Sequence, residues 1–152
     1  MHRLLPLLAC ICVAGCVTGE TTLDDLPDEP VAVAVEADDP EMAAAIAQAR
    51  ATLPQFIQQR QGSADGDAYR YAIKGRFKGG EGIEYMWVSP FLYDADHQVF
   101  AGILKSQPRD PNLGHAGAQV LVPQRAVIDH MYLRRDDTIE GGTTDALLRA
   151  RR

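Results

Sequence analysis

The sequence predicts an α+β fold: an N-terminal amphipathic helix packed on a curled antiparallel sheet or small SH3-like barrel, with a short C-terminal helix. Three observations lead to it. Apolar residues recur at three-to-four spacing from Met42 to Ile57, the period of a helix with one buried side. After Tyr69 the period drops to two, as in a half-buried strand. Several short apolar runs then follow between turn residues, the pattern of a strongly curled antiparallel sheet.

The helix has a clear start. Asp39 can cap it, Pro40 suits the first position, and Glu41 complements the N-terminal dipole. Met42, Ile46, Ala49, Leu53, Phe56 and Ile57 form its apolar stripe, which runs to about Gln59. Pro54 lacks a backbone donor and crowds the preceding turn, so a kink or a split is expected there. Gly62 to Asp67 reads as a loop. In the first strand, Tyr69, Tyr71, Ile73 and Phe77 alternate with Arg70, Lys74, Arg76 and Lys78. Gly79 to Gly82 turns the chain into a second strand, Ile83 to Ser89, which Pro90 is expected to end or to mark as an edge. Further strands are expected over Gln98–Lys105, Gln119–Val122 and Ala126–Leu133. Thr143 or Thr144 is placed to cap a last helix, Asp145 to Arg149.

What precedes this domain is different in kind. The apolar run from Leu4 to Val17, about 14 residues, falls short of the roughly 20 that a membrane-crossing helix needs. Pro6 and Gly15 also argue against a core helix. A basic start at Arg3, an apolar middle and the small pair Ala14-Gly15 fit a secretory signal over residues 1–15. Val13-Ala14-Gly15-Cys16 resembles a bacterial lipoprotein box, which makes Cys16 the expected lipidation site and the membrane a partner through that lipid. Val17 follows the cysteine where an aspartate resembles an inner-membrane retention signal, so the expected location is the outer membrane, facing the periplasm. All three cysteines lie in this segment, so the domain has no thiol for a disulfide, a zinc site or a nucleophile.

Residues 16–39 read as an acidic tether. Glu20, Asp24, Asp25, Asp28, Glu29, Glu36, Asp38 and Asp39 occur there with no Lys or Arg, and Pro27 and Pro30 favour an extended chain. The formal charge of −6 is therefore carried by the tether, and residues 40–150, the expected single domain, are close to neutral. No basic stripe exists, which argues against a nucleic-acid partner.

Glu84-Tyr85-Met86-Trp87-Val88, Gly102-Ile103-Leu104, Pro108, Gly117, Ile128-Asp129-His130-Met131-Tyr132 and Gly141-Gly142-Thr143 occur in an order that resembles the YegJ-like family, the domain of unknown function 2314. The resemblance covers about Tyr69 to Leu148. The family commonly places a Trp after the aspartate, where this chain has His130. The resemblance implies a domain and carries no activity with it.

Chemistry-bearing residues are sparse. His97 lies in a turn beside Asp96 and His115 in a glycine-flanked loop, without the spacing of a metal site. Ser89 and Ser106 lack the context of a nucleophile. Gly79-Gly80-Glu81-Gly82 lacks the Lys-Ser/Thr of a phosphate loop. Glu84, Trp87, Asp129, His130 and Tyr132 remain as a candidate binding surface. In a continuous strand Asp129 shares its face with Val127, Met131 and Leu133, so its carboxylate must find hydrogen bonds or rise in pKa. The expected role is to order neighbouring backbone amides. Trp87 is expected in the core.

Two function classes follow. The first is an envelope lipoprotein whose domain binds a protein or cell-wall partner, with no catalytic residue, metal or cofactor; an immunity or inhibitor protein against a periplasmic toxin is one form of it. The second is a small periplasmic hydrolase or wall-modifying enzyme using Asp129 and His130, or Glu84.

Overall fold

The computed structural model describes residues 39–80 and 82–151. The expected signal, the lipidation site Cys16 and the tether up to residue 38 lie outside the described residues.

Helix α1 spans Pro40–Gln61, and Asp39 caps it by accepting from the amides of Glu41 and Met42 at 3.0 and 3.1 Å. Pro54 does not split it. Ala49 and Leu53 before the proline and Phe56 and Ile57 after it are all buried. Their burial keeps both halves packed on the sheet although the proline supplies no donor to the Arg50 carbonyl. A six-residue 3₁₀ helix, Asp65–Arg70, occupies the end of the expected loop.

Six strands follow: β1 (Tyr71–Gly79), β2 (Gly82–Asp94), β3 (Val99–Leu104), β4 (Gln119–Pro123), β5 (Val127–Leu133) and β6 (Ile139–Gly141). Helix α2, Thr143–Ala150, ends the fold. The strands form one antiparallel sheet in the order β4-β3-β2-β1-β5-β6. The sheet is open, so of the two forms expected the barrel is not formed. Four strands separate the edges β4 and β6, and α1 covers the face that a barrel would close upon itself.

Pro90 does not end β2, which continues to Asp94. The register against β3 shifts between Val88 and Phe91, and this irregularity takes up the residue that cannot donate to the ladder. Strand β6 was not expected; its three residues are too few to show a period.

The register fixes two faces. Tyr71 and Ile73 on β1, Met86 and Val88 on β2, and Phe100 and Leu104 on β3 pack with Leu53, Phe56 and Ile57 of α1. Ala72, Trp87 and Met131 form a smaller cluster on the opposite face. Arg151, just after α2, pairs with Asp39 and Glu41 and ties the end of the domain to the start of α1.

Candidate functional site

The structure brings three of the five candidate residues to one place. Asp129, His130 and Tyr132 of β5 line a groove of about 210 Å³ between α1 and the β5–β6 edge. Trp87 and Glu84 lie elsewhere.

Strand β5 carries a bulge. Its register against β1 runs from Lys74↔Asp129 directly to Gly75↔Val127, leaving Ile128 as the extra residue. Val127 therefore sits in the α1-facing core with Ile73, not on the face of Asp129 as strict alternation expects.

Asp129 is 1% exposed and saturated with donors. Its Oδ2 accepts from the Thr144 amide at 2.7 Å and the Thr144 hydroxyl at 2.6 Å. Its Oδ1 accepts from the His130 amide at 2.8 Å and the Thr143 hydroxyl at 3.3 Å. The N-cap position of α2 is Gly142, at φ 69°, with no side-chain cap. Asp129 thus does from the sheet what Thr143 or Thr144 was expected to do locally. A carboxylate against the first turn also complements the helix dipole.

Next to it α2 is anchored a second time. Asp145 Oδ1 lies 2.6 Å from Lys74 Nζ, and its Oδ2 accepts from Trp87 Nε1 at 3.0 Å. Lys74 Nζ is 5.2 Å from the Trp87 ring centroid. Trp87, 5% exposed, is a core residue whose polar edge is used to hold α2. Sequence reasoning missed Lys74 and Asp145, since a lysine alternating with apolar residues reads as solvent-facing until a helix covers it.

His130 is 8% exposed and faces α1. Its ring stacks on Phe56, centroids 4.4 Å apart. Nε2 lies 3.2 Å from the Ala49 carbonyl oxygen and 2.9 Å from Thr52 Oγ1. The carbonyl can only accept, so Nε2 carries the proton. Nδ1 is buried without a hydrogen-bond partner. Burial pushes the imidazole below its ordinary value of 6.5, against the opposing charge of Asp129. The Asp129 carboxylate bonds the His130 amide, and both ring contacts of His130 are to α1. The two side chains do not form a hydrogen-bonded acid–base pair.

Over this floor α1 presents a polar stripe, Gln48, Thr52, Gln55 and Gln59. All four are exposed, and the three amides have no hydrogen-bond partner among the described residues. Tyr132 is half-buried, with Tyr71 stacked on it at 4.5 Å. On the far wall Glu140 pairs with Arg134 at 2.5 Å. Gly141 must be glycine: its φ is 88°, and a Cβ there would meet the His130 carbonyl oxygen at 2.2 Å. The glutamines had a sequence signal, their recurrence on one side of the helix, but it is also the pattern of any solvated face.

Glu84 is a clamp on the loop between β3 and β4. Its two oxygens accept from the amides of Arg109 and Asp110 at 2.9 and 2.8 Å. Asp110 in turn accepts from the amides of Gly80 and Asn112 at 2.6 and 2.9 Å. The loop lies so close that a Cβ on Gly79 would come within 2.2 Å of Asp110 Oδ2. His97, exposed in its turn, pairs with Asp94 at 2.7 Å. Among the described residues no group of three or more His, Cys, Asp or Glu is placed to hold a metal ion, and no helix is long and apolar enough to cross a membrane.

A family profile described as "Uncharacterized protein conserved in bacteria (DUF2314)" matches residues 39–151. No curated protein and no solved structure matches the chain.

Proposed function

We propose that this chain, which belongs to the DUF2314 family, is a lipid-tethered envelope protein that binds a protein or cell-wall partner through the groove between α1 and the β5–β6 edge. One observation carries the reading. The groove's exposed amides are unengaged, whereas its two ionisable floor residues are spent on structure. A hydrolase using Asp129 and His130 needs a carboxylate on the imidazole and a ring nitrogen facing substrate. Here the carboxylate caps α2 and Nε2 is turned to Ala49. Lipid on Cys16 would place the domain at the membrane surface, within reach of both wall and periplasm.

The test is a photo-crosslinking amino acid in place of Gln55 or, on the outer sheet face, in place of Leu92, which is 73% exposed. The expected result is an envelope adduct from position 55 and none from position 92. Adducts from position 92 alone would move the binding surface to the outer face and overturn the reading.

A further inference from the structure

The chemistry of the groove points beyond binding in general to a class of ligand. We propose that it takes an uncharged, amide-bearing oligosaccharide, a run of N-acetylglucosamine-type units, an assignment that rests on the binding reading above.

Shape comes first. Gln48, Thr52, Gln55 and Gln59 stand at i, i+4, i+7 and i+11 on one side of α1. At 1.5 Å per residue the stripe is about 16 Å long, which suits a linear ligand lying along the helix. The enclosed volume, about 210 Å³, is below the roughly 300–1,000 Å³ of pockets that swallow a compact small molecule. The groove is therefore too shallow to swallow a compact ligand, and a chain would lie along the stripe with much of its surface outside.

Polarity narrows the class. Each carboxamide offers donors and an acceptor together, the complement of hydroxyl and acetamido groups. No Lys or Arg is among the described lining residues. The two lining carboxylates are already neutralised or committed, Glu140 by Arg134 and Asp129 by its four donors. The site thus selects for neither an anion nor a cation. Tyr132, fixed by Tyr71 behind it, gives the wall a rigid aromatic surface for the apolar face of a sugar ring.

An extended peptide fits less well. It would pair with a strand edge and place alternate side chains in apolar pockets. Strand β6 has three residues and ends in the left-handed Gly141, and the exposed groove side chains are the amides, the Thr52 hydroxyl and the Arg134-paired Glu140, with no apolar pocket among them.

The test is calorimetric titration of the full-length protein, in a detergent without sugar headgroups, with chitopentaose, a neutral pentamer of N-acetylglucosamine. Saturable binding is expected. Gln48→Leu/Gln55→Leu should weaken it about tenfold, two lost hydrogen bonds' worth, at unchanged melting temperature. Leu92→Ser should bind as the wild type does. No binding up to the solubility limit of the sugar, or equal affinity in the double variant, overturns the assignment. The crosslink at position 55 separates the two levels. A protein adduct there without sugar binding sinks the glycan and leaves the groove as a docking site; neither signal sinks both.

Discussion

Asp129 holds the turn from β6 into α2 together. Its four donors arrive from the backbone and side chains of three residues, Thr143, Thr144 and His130. Each buried donor left unpaired costs about 1–3 kcal/mol. Asp129→Ala should therefore lose several kcal/mol by denaturant unfolding, and Asp129→Asn clearly less, because its carbonyl can still accept from Thr144. Equal losses in the two variants would show that the hydrogen bonds are not what the residue supplies. His130 makes a different prediction. Its imidazole is held below 6.5 in the fold, so above that pH it is neutral in both states and costs nothing. Below it the unfolded chain takes up a proton that the folded chain refuses, and stability falls as pH drops. His130→Gln keeps a donor for the Ala49 carbonyl and does not titrate. The stability difference between the two proteins should narrow or reverse as the pH is lowered from 7.5 to 5.5, and parallel pH profiles would refute it.

At the scale of elements, α2 is too short to be stable alone and persists through its packing on α1 and its two attachments to the sheet. The second is the buried Lys74–Asp145 pair, with Trp87 as a further donor. Removing one member of a buried pair costs about 3–5 kcal/mol, whereas replacing both by apolar groups is often neutral. Lys74→Met should destabilise strongly and detach α2 first, seen as loss of amide-exchange protection over residues 143–150. Lys74→Met/Asp145→Leu should recover much of the stability. If the double variant is no better than the single one, the charge left behind is not the cause. Two of the ladders break their alternation, β2 with β3 around Pro90 and β1 with β5 at Ile128, and the bulge at Ile128 is where β5 changes which residues it shows to α1.

For the whole molecule, the proposed tether and anchor would set where the domain works, and the described fold begins only at Asp39. Asp39 is the first described residue and already belongs to the fold, as the cap of α1 and the partner of Arg151. A chain beginning at Asp39 should therefore melt within a few degrees of the full protein, while one beginning at Met42 should melt earlier. A large drop in the first would mean that residues 17–38 pack on the domain. Cys16→Ser should move the protein from the membrane fraction to the soluble one, and intact-mass measurement of the wild type should show acyl chains on the cysteine. An unmodified Cys16 in the mature protein would remove the anchor from the proposal.

Sequence alone determined the α+β class, the start of α1 at its Asp39-Pro40 cap, and the positions of β1, β3, β4 and β5 to within about two residues, because these follow from local rules of period, capping and turn chemistry. It ended β2 at Ser89, ahead of Pro90 and five residues short of Asp94, since only the neighbouring strand β3 shows that the ladder can resume past the proline. It also marked Asp129 as a carboxylate that must be satisfied. It did not show by what. The donors come from Thr143 and Thr144, which meet Asp129 only when α2 folds back on the sheet. The same holds for Lys74 with Asp145, and for the groove, whose glutamines look like any wet helix face until β5 and β6 are set beside them. Whether the curled sheet closed was also decided in three dimensions, by a helix that fills one face. A short edge strand such as β6 has no period of its own and exists only because β5 is there to pair with it.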